Sequence, residues 1–341
     1  MPYEVADRLV IGIASSALFN LADADAIFVR CGEEAYRRHQ EVHLDEAFAP
    51  GVAFPFIQRL LSLNDLASAD DPLIEVIILS RNDPDTGLRV MRSVAQYGLD
   101  ITRAIFMQGQ SPYQFMPALG MSLFLSANED DVRKAVRQGM PAGQVLDSAY
   151  TDDDSDELRI AFDFDGVLAD DESERVMQER GLQDFHRHEV TNVVTPHNPG
   201  PLRDFLAKIN MIQKCEERRR QEDTNYSRRV RVSSVTARSA PAHERAVASL
   251  KVWGVTVNDA FFLGGINKGA VLDVLRPHIF FDDQKAHVLA TALSVPSVHV
   301  PFGIVNDDAK MSELRERAAM TTSASSEKPE NEVFDSSQTD T

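Results

Sequence analysis

The sequence predicts an α/β protein built on a mainly parallel, Rossmann-like sheet, present as two tandem, degenerate copies of one unit. Two observations carry this. Short apolar runs alternate with amphipathic stretches over most of the 341 residues, the pattern of βαβ units. The chain also aligns with itself in collinear order at a nearly constant offset. Ala14–Phe19 (ASSALF) lies over Phe164–Ala169 (FDGVLA), Gly32, Arg38 and His39 over Gly181, Arg187 and His188, and Pro50-Gly51 over Pro199-Gly200. Further on, Ile77–Arg81 lies over Ser233–Ala237, Tyr97–Phe106 over Trp253–Phe262, and Leu123–Asn128 over Ile279–Gln284. Each match is weak alone, but their order indicates duplication.

In chain order, the apolar segment Leu9–Leu21 comes first. Glu4 and Asp7 precede it beside Arg8, so it lacks the basic start of a signal peptide and reads as a buried strand. The first copy spans 1–150, and the acidic run Asp152–Glu157 (DDDSDE) reads as a solvated linker. The second copy spans 151–310. Its strands are expected at Arg159–Phe164, Val230–Val235, Ala260–Leu263, His278–Phe281 and Ser297–Val300. Its helices are expected at Glu172–Glu179, Pro201–Ile212, His243–Trp253, Lys268–Leu275 and Lys285–Ala292. The stretch between Asp165 and Thr236 is longer than a plain crossover needs, which predicts a cap insertion at 171–229. The remainder, 311–341, is rich in Ser, Thr and acids and is expected to be a disordered tail.

Composition excludes several classes. At 43% hydrophobic and 26% charged, the chain is not collagen-like, coiled-coil or wholly disordered. A net charge of −18 repels nucleic-acid polymers and anionic membranes, leaving small molecules, metal ions or proteins as partners. Two cysteines, Cys31 and Cys215, make no disulfide framework and fit a reducing cytoplasm. No apolar run is long enough to span a bilayer. Oligomeric state leaves no signature.

Chemistry in such sheets gathers at the carboxyl ends of strands. One strand runs into Asp163-Phe164-Asp165-Gly166. Two carboxylates spaced i, i+2 share a face, and burying them is costly unless a cation or reaction partner compensates. Gly166 permits a sharp turn against a ligand. The next strand ends at Thr236-Ala237-Arg238, a hydroxyl and free amides suited to phosphate oxygens. The third leads to Lys268 at a helix start, and the fourth ends in Asp282-Asp283. Oxygen donors of this kind suit Mg2+.

Taken together these elements resemble the four motifs of the haloacid dehalogenase-like phosphohydrolases, in order from Arg159 to about Val300. More closely, AFDFDGVLADDESERV, GPLRDFLAKI, VTARSAPAHERAVASLKVWG and LRPHIFFDDQKAHV look like the type I cytosolic 5′-nucleotidases. In the first copy, SSALF, PGVAFPFIQRLL and FLSANEDDVRKAV resemble the N-terminal part of the same family. The resemblance implies that Asp163 is the nucleophile and Asp165 the general acid and base, whose backbone carbonyl also reaches Mg2+. It implies that Thr236 binds phosphoryl oxygens, that Lys268 neutralises charge, and that Asp282 or Asp283 completes the metal site. Gly166, Ala237 and Arg238 are the candidate substrate-binding residues, and Asp163, Asp165, Asp282 and Asp283 the candidate metal set. The expected activity is Mg2+-dependent hydrolysis of nucleoside 5′-monophosphates through an aspartyl-phosphate. The alternatives are the same chemistry on sugar phosphates or other small phosphomonoesters, or a sensor of phosphorylated metabolites without turnover.

The duplication supplies an internal control. The first copy has Ile13, Ser15, Ser80, Pro112 and Ser126-Ala127 where the second has Asp163, Asp165, Thr236, Lys268 and Asp282-Asp283. It keeps the strands without the nucleophile or charged ligands. Arg238 fits either a phosphate grip or an ion partner for an acid. His278 and His287 read as core or surface residues, and Arg187-His188 as structural.

Overall fold

The computed structural model describes residues 7–326 apart from Ala69 and Asp154. Ten strands follow in chain order: Leu9–Ile13 (β1), Ile74–Ser80 (β2), Arg103–Phe106 (β3), Leu123–Ser126 (β4), Ala142–Val145 (β5), Leu158–Phe162 (β6), Val230–Thr236 (β7), Asp259–Phe262 (β8), Ile279–Asp282 (β9) and Ser297–His299 (β10). They form a single sheet of order β3-β2-β1-β4-β5-β10-β9-β6-β7-β8. Every neighbouring pair is parallel except β5–β10, where Val145 faces Val298. The order β3-β2-β1-β4-β5 on one side is therefore repeated as β8-β7-β6-β9-β10 on the other, joined edge to edge by the antiparallel pair.

The sequence explains the burial. Strand β1 (LVIGI) is buried at all five residues and lies between β2 and β4, which is the place for a continuous apolar run covered on both faces. Side chains alternate across it. Leu9, Ile11 and Ile13 join a core that continues through Leu158, Ile160 and Phe162 of the second half. The opposite face is divided, with Val10 in one cluster and Ala161 and Phe280 in another. The segments expected at 1–150 and 151–310 thus share one sheet and one major core up to Asn306.

Local hydrogen bonds also recur between the halves. Arg89 donates to Gln40 as Arg245 donates to Glu189. Ser93 Oγ accepts from Phe48 N as Ser249 Oγ accepts from His197 N. Tyr97 donates to Phe48 O as Trp253 donates to His197 O.

Helices at His243–Trp253 and Lys268–Leu275 have the expected bounds. The expected Pro201–Ile212 is instead Arg203–Glu222, and the sequence reading missed Leu182–Thr191. The stretch expected to be a cap is therefore helical at Glu172–Arg180, Leu182–Thr191 and Arg203–Glu222.

The acidic run has no regular structure among its described residues and is largely exposed, but it is also tied to the fold. Arg59, itself buried, donates to Asp152 at 2.8 Å and to the Asp153 carbonyl, and Arg159 pairs with Asp153 at 2.5 Å. A buried guanidinium needs carboxylates, and the run supplies them. From Asp307 a separate unit begins. It contains the helix Asp308–Ser326, so the expectation of a disordered tail over 311–341 meets a helix in its first part, and 327–341 lies outside the described residues. Among the described residues no helix is long and apolar enough to cross a membrane.

Candidate active site

Strand β6 ends one residue before Asp163, whose carboxylate caps its own turn by accepting from Phe164 N at 2.7 Å. The chain then reverses at Gly166, which takes φ 69°. A Cβ there would lie 2.3 Å from Asp283 Oδ2, so glycine is required both by the left-handed backbone and by the close approach of the two loops. Strand β9 ends at Asp282, and the helix starting at Lys268, capped by Asn267, delivers an ammonium between them. Lys268 Nζ donates to Asp163 Oδ2 at 2.6 Å and to Asp282 Oδ2 at 2.7 Å. Asp163, Asp282, Asp283 and Lys268 are all buried.

Three buried carboxylates face one ammonium. Burial pushes the Asp163 carboxyl up to about 7, with the charges of Asp282 and Asp165 adding to it and Lys268 pulling the other way. Burial also opposes ionisation of Asp282, but Lys268 and His287 hold it below the usual carboxylate range. Asp283 is raised well above that range by burial and by Asp282 and Asp163. Both of its carboxylate oxygens are buried without a hydrogen-bond partner. An orphaned acid beside two other carboxylates is the arrangement a hard cation relieves, and carboxylate oxygens of this kind suit Mg2+. The residues therefore fit the ion that the motifs imply. His287 is closer to this centre than the sequence reading allowed. Its Nδ1 lies 3.3 Å from Asp282 Oδ2, and it falls with Asp163 and Asp282 in one group of potential ligand atoms.

Asp165 turns elsewhere. Both of its oxygens are held by Arg238, Nε at 2.7 Å and an Nη at 2.6 Å. The structure thus pairs Arg238 with an acid rather than leaving it as a free phosphate grip. Arg238 also pairs with Glu189 and donates to the Ala242 carbonyl at 3.1 Å. Thr236 is buried at the end of β7 and accepts from Arg238 N at 3.3 Å, while Ala237 is exposed.

Glu189 was missed by the sequence reading. It sits in the helix Leu182–Thr191 and receives Arg245 at 2.9 Å and Ser173 at 2.7 Å, besides Arg238, with His197 Nε2 3.2 Å away. Burial alone would raise its pKa, but His197, Arg238 and Ser173 hold it far below the carboxylate range. One signal was available. The aligned residue in the first half is Gln40, and Asn82 aligns with Arg238, so acid and second arginine occur together only in the second half.

A Rossmann-like α/β sheet with a lysine-bridged carboxylate centre at its strand ends defines the class of this protein. The model of the 5′-nucleotidase family matches residues 1–307. Cytosolic 5′-nucleotidase 1B of Homo sapiens is 32% identical over 296 residues, covering 84% of this chain and 48% of that protein. The chain belongs to the 5′-nucleotidase family, in agreement with its resemblance to the type I cytosolic members. It spans about half the length of that curated relative. No solved structure matches it.

Proposed function

We propose that this chain hydrolyses nucleoside 5′-monophosphates, AMP-like substrates among them, to nucleoside and phosphate, and that it works in the cytoplasm like its relative named cytosolic. The observation that carries the reading is Lys268 bridging Asp163 and Asp282 beside the orphaned Asp283. In the first displacement an Asp163 oxygen bonds to phosphorus and the P–O5′ bond breaks. The proton needed by O5′ comes from Asp165, leaving an aspartyl-phosphate and the nucleoside. In the second, water attacks phosphorus, the acyl-phosphate bond breaks, and Asp165 takes the proton. Lys268 and Thr236 hold the phosphoryl oxygens where charge builds. Asp163, Asp282, Asp283 and the Asp165 backbone would hold Mg2+, which supplies electrophilic neutralisation of the phosphoryl group.

Arg238 donates to both Asp165 oxygens, so neither is free to carry a proton to O5′ while the clamp is closed. Proton donation in the first step requires that grip to loosen. The same sheet order in both halves and the recurring hydrogen bonds support reading 1–150 as a degenerate copy of 151–310, with 171–229 acting as a cap over the site.

Phosphate release from a panel of nucleoside monophosphates and sugar phosphates, with Mg2+ and with chelator, tests the reaction. The expected result is Mg2+-dependent release from the nucleotides. Release from sugar phosphates alone overturns the substrate, undiminished release in chelator overturns the metal, and no release from any ester overturns hydrolysis.

A further inference from the structure

The first half has a cavity of its own at the carboxyl edge of its strands. It measures about 590 Å3, a size usual for small-molecule sites, and Phe28, Tyr36, Asn82, Gln108 and Asn128 are among its lining residues. Under the alignment of the halves it adjoins the counterpart of the candidate active site: Asn82 aligns with Arg238, and Asn128 with Gln284, the residue after Asp283.

The groups that handle phosphate are missing here. The Ser15 and Ser80 hydroxyls, at the positions of Asp165 and Thr236, satisfy each other at 3.0 Å. Pro112 and Ser126 replace Lys268 and Asp282. The two helix N-termini that open onto the cavity are already neutralised. Asp83 caps Pro84–Gln96 by accepting from Thr86 N at 2.9 Å, and Glu129–Arg137 begins with three acids. Arg81, the cationic side chain lining the cavity, is held by Asp131 in a two-pronged pair. Glu33 and Asp83 are paired with Arg37, which is thereby committed as Arg81 is, and Asp25 adds further negative charge. A phosphate dianion is repelled.

What remains is aromatic and amide chemistry. Phe28 stands edge-on to Tyr36 at 5.7 Å and is 51% exposed, so a ring face is open to a planar ligand. The Asn82 amide and the Tyr36 ring both line the cavity. Gln108 is one of two non-glycine residues with positive φ among the described residues, at 44°, and its loop is tied across the rim by Gln108 N to Asn82 O and Gly109 N to Arg81 O. Backbone held in that region at a cavity rim is the strain that binding sites retain.

We propose that this cavity binds an uncharged nucleoside, its base against Phe28 and its edge read by the Asn82 and Gln108 amides, and that it discriminates against the 5′-monophosphate. The choice of nucleoside as the neutral heterocycle rests on the proposed reaction, of which it is the product. The exclusion of phosphate rests on the cavity alone.

Equilibrium dialysis of the full chain against adenosine, guanosine, cytidine and uridine, and against their 5′-monophosphates, tests it. At least one nucleoside is expected to bind wild type and Asp163→Asn alike. Phe28→Ala or Asn82→Ala should weaken that binding about tenfold, the loss of one stacked or hydrogen-bonded base contact. Both substituted residues are at least partly exposed, and thermal midpoints verify the fold. Phosphate release by Phe28→Ala is expected at the wild-type rate. No nucleoside binding sensitive to either substitution overturns the proposal, as does a monophosphate whose Phe28-dependent binding is tighter than that of its nucleoside. Turnover without such binding overturns the cavity alone, whereas such binding without turnover overturns the reaction and leaves the cavity as the site of a neutral heterocycle.

Discussion

Arg238 grips Asp165 with two parallel hydrogen bonds, 2.6 and 2.7 Å, from a guanidinium whose side chain is 2% exposed. A fork of this kind fixes the carboxylate's plane as well as its charge. The third nitrogen reaches Glu189, so one buried cation joins a residue at the strand-end site to an acid in the helix Leu182–Thr191.

Glu189→Gln leaves Arg238 and Arg245 facing an amide. Removing one partner of a buried ion network costs about 3–5 kcal/mol, so its denaturation midpoint should fall accordingly. The first half shows how the loss is tolerated, since Gln40 serves one arginine where Asn82 replaces the second. Glu189→Gln combined with Arg238→Asn should therefore cost less than the sum of the single changes, by about 1 kcal/mol or more in a double-mutant cycle. Additive losses would mean that the two residues act independently.

Asp163→Asn keeps the size of the side chain and an acceptor for Phe164 N while removing the nucleophilic oxygen pair. Phosphate release should fall by about 10³-fold or more, with an unchanged circular dichroism spectrum. Residual turnover near wild type would place the chemistry elsewhere.

Asp283 is an unpaired buried acid, so Asp283→Asn should raise the thermal midpoint measured in chelator. In wild type, Mg2+ at about a hundred times its dissociation constant should stabilise the fold by about 2.7 kcal/mol. The asparagine variant should lose most of that increment. Equal Mg2+ shifts in both proteins would remove Asp283 from the metal set.

His278 carries a pH dependence. Burial, with the charges of Arg59 and Arg159, lowers its pKa to about 4, and its Nδ1 accepts from Arg159 N at 3.0 Å. An unfolded histidine titrates near 6.5, so below that pH the unfolded chain takes up a proton the native ring refuses. Its contribution to stability is fully present above about 6.5 and is lost as pH falls toward 4. Urea midpoints of wild type should decline more steeply across that interval than those of His278→Gln. Parallel curves would show that the ring does not titrate differently on folding.

Much of the fold was legible because its signals are local. The runs ending at Thr236 and Asp282 are strands since β-rich apolar segments flanked by turns have few alternatives, and the helix His243–Trp253 was bounded by its own pattern. The helix Leu182–Thr191 was not legible. It buries only Phe185 and Glu189, so no apolar stripe marks it. Residues 203–222 continued past Ile212 because Glu216, fully buried, accepts from Tyr226, Arg229 and Val230, a contact that spacing alone does not reveal.

The sequence by itself determined the α/β class, the order of the strand-end residues and the absence of charged chemistry at the aligned positions of the first half. Each is a matter of residue type and local spacing. Only the tertiary structure decided that β5 and β10 join the halves into one sheet, that Lys268 lies between Asp163 and Asp282, and that Arg238 spends its charge on Asp165 and Glu189. Buried charges must find compensation wherever the packed chain brings it, and partners far apart in sequence are chosen by packing alone.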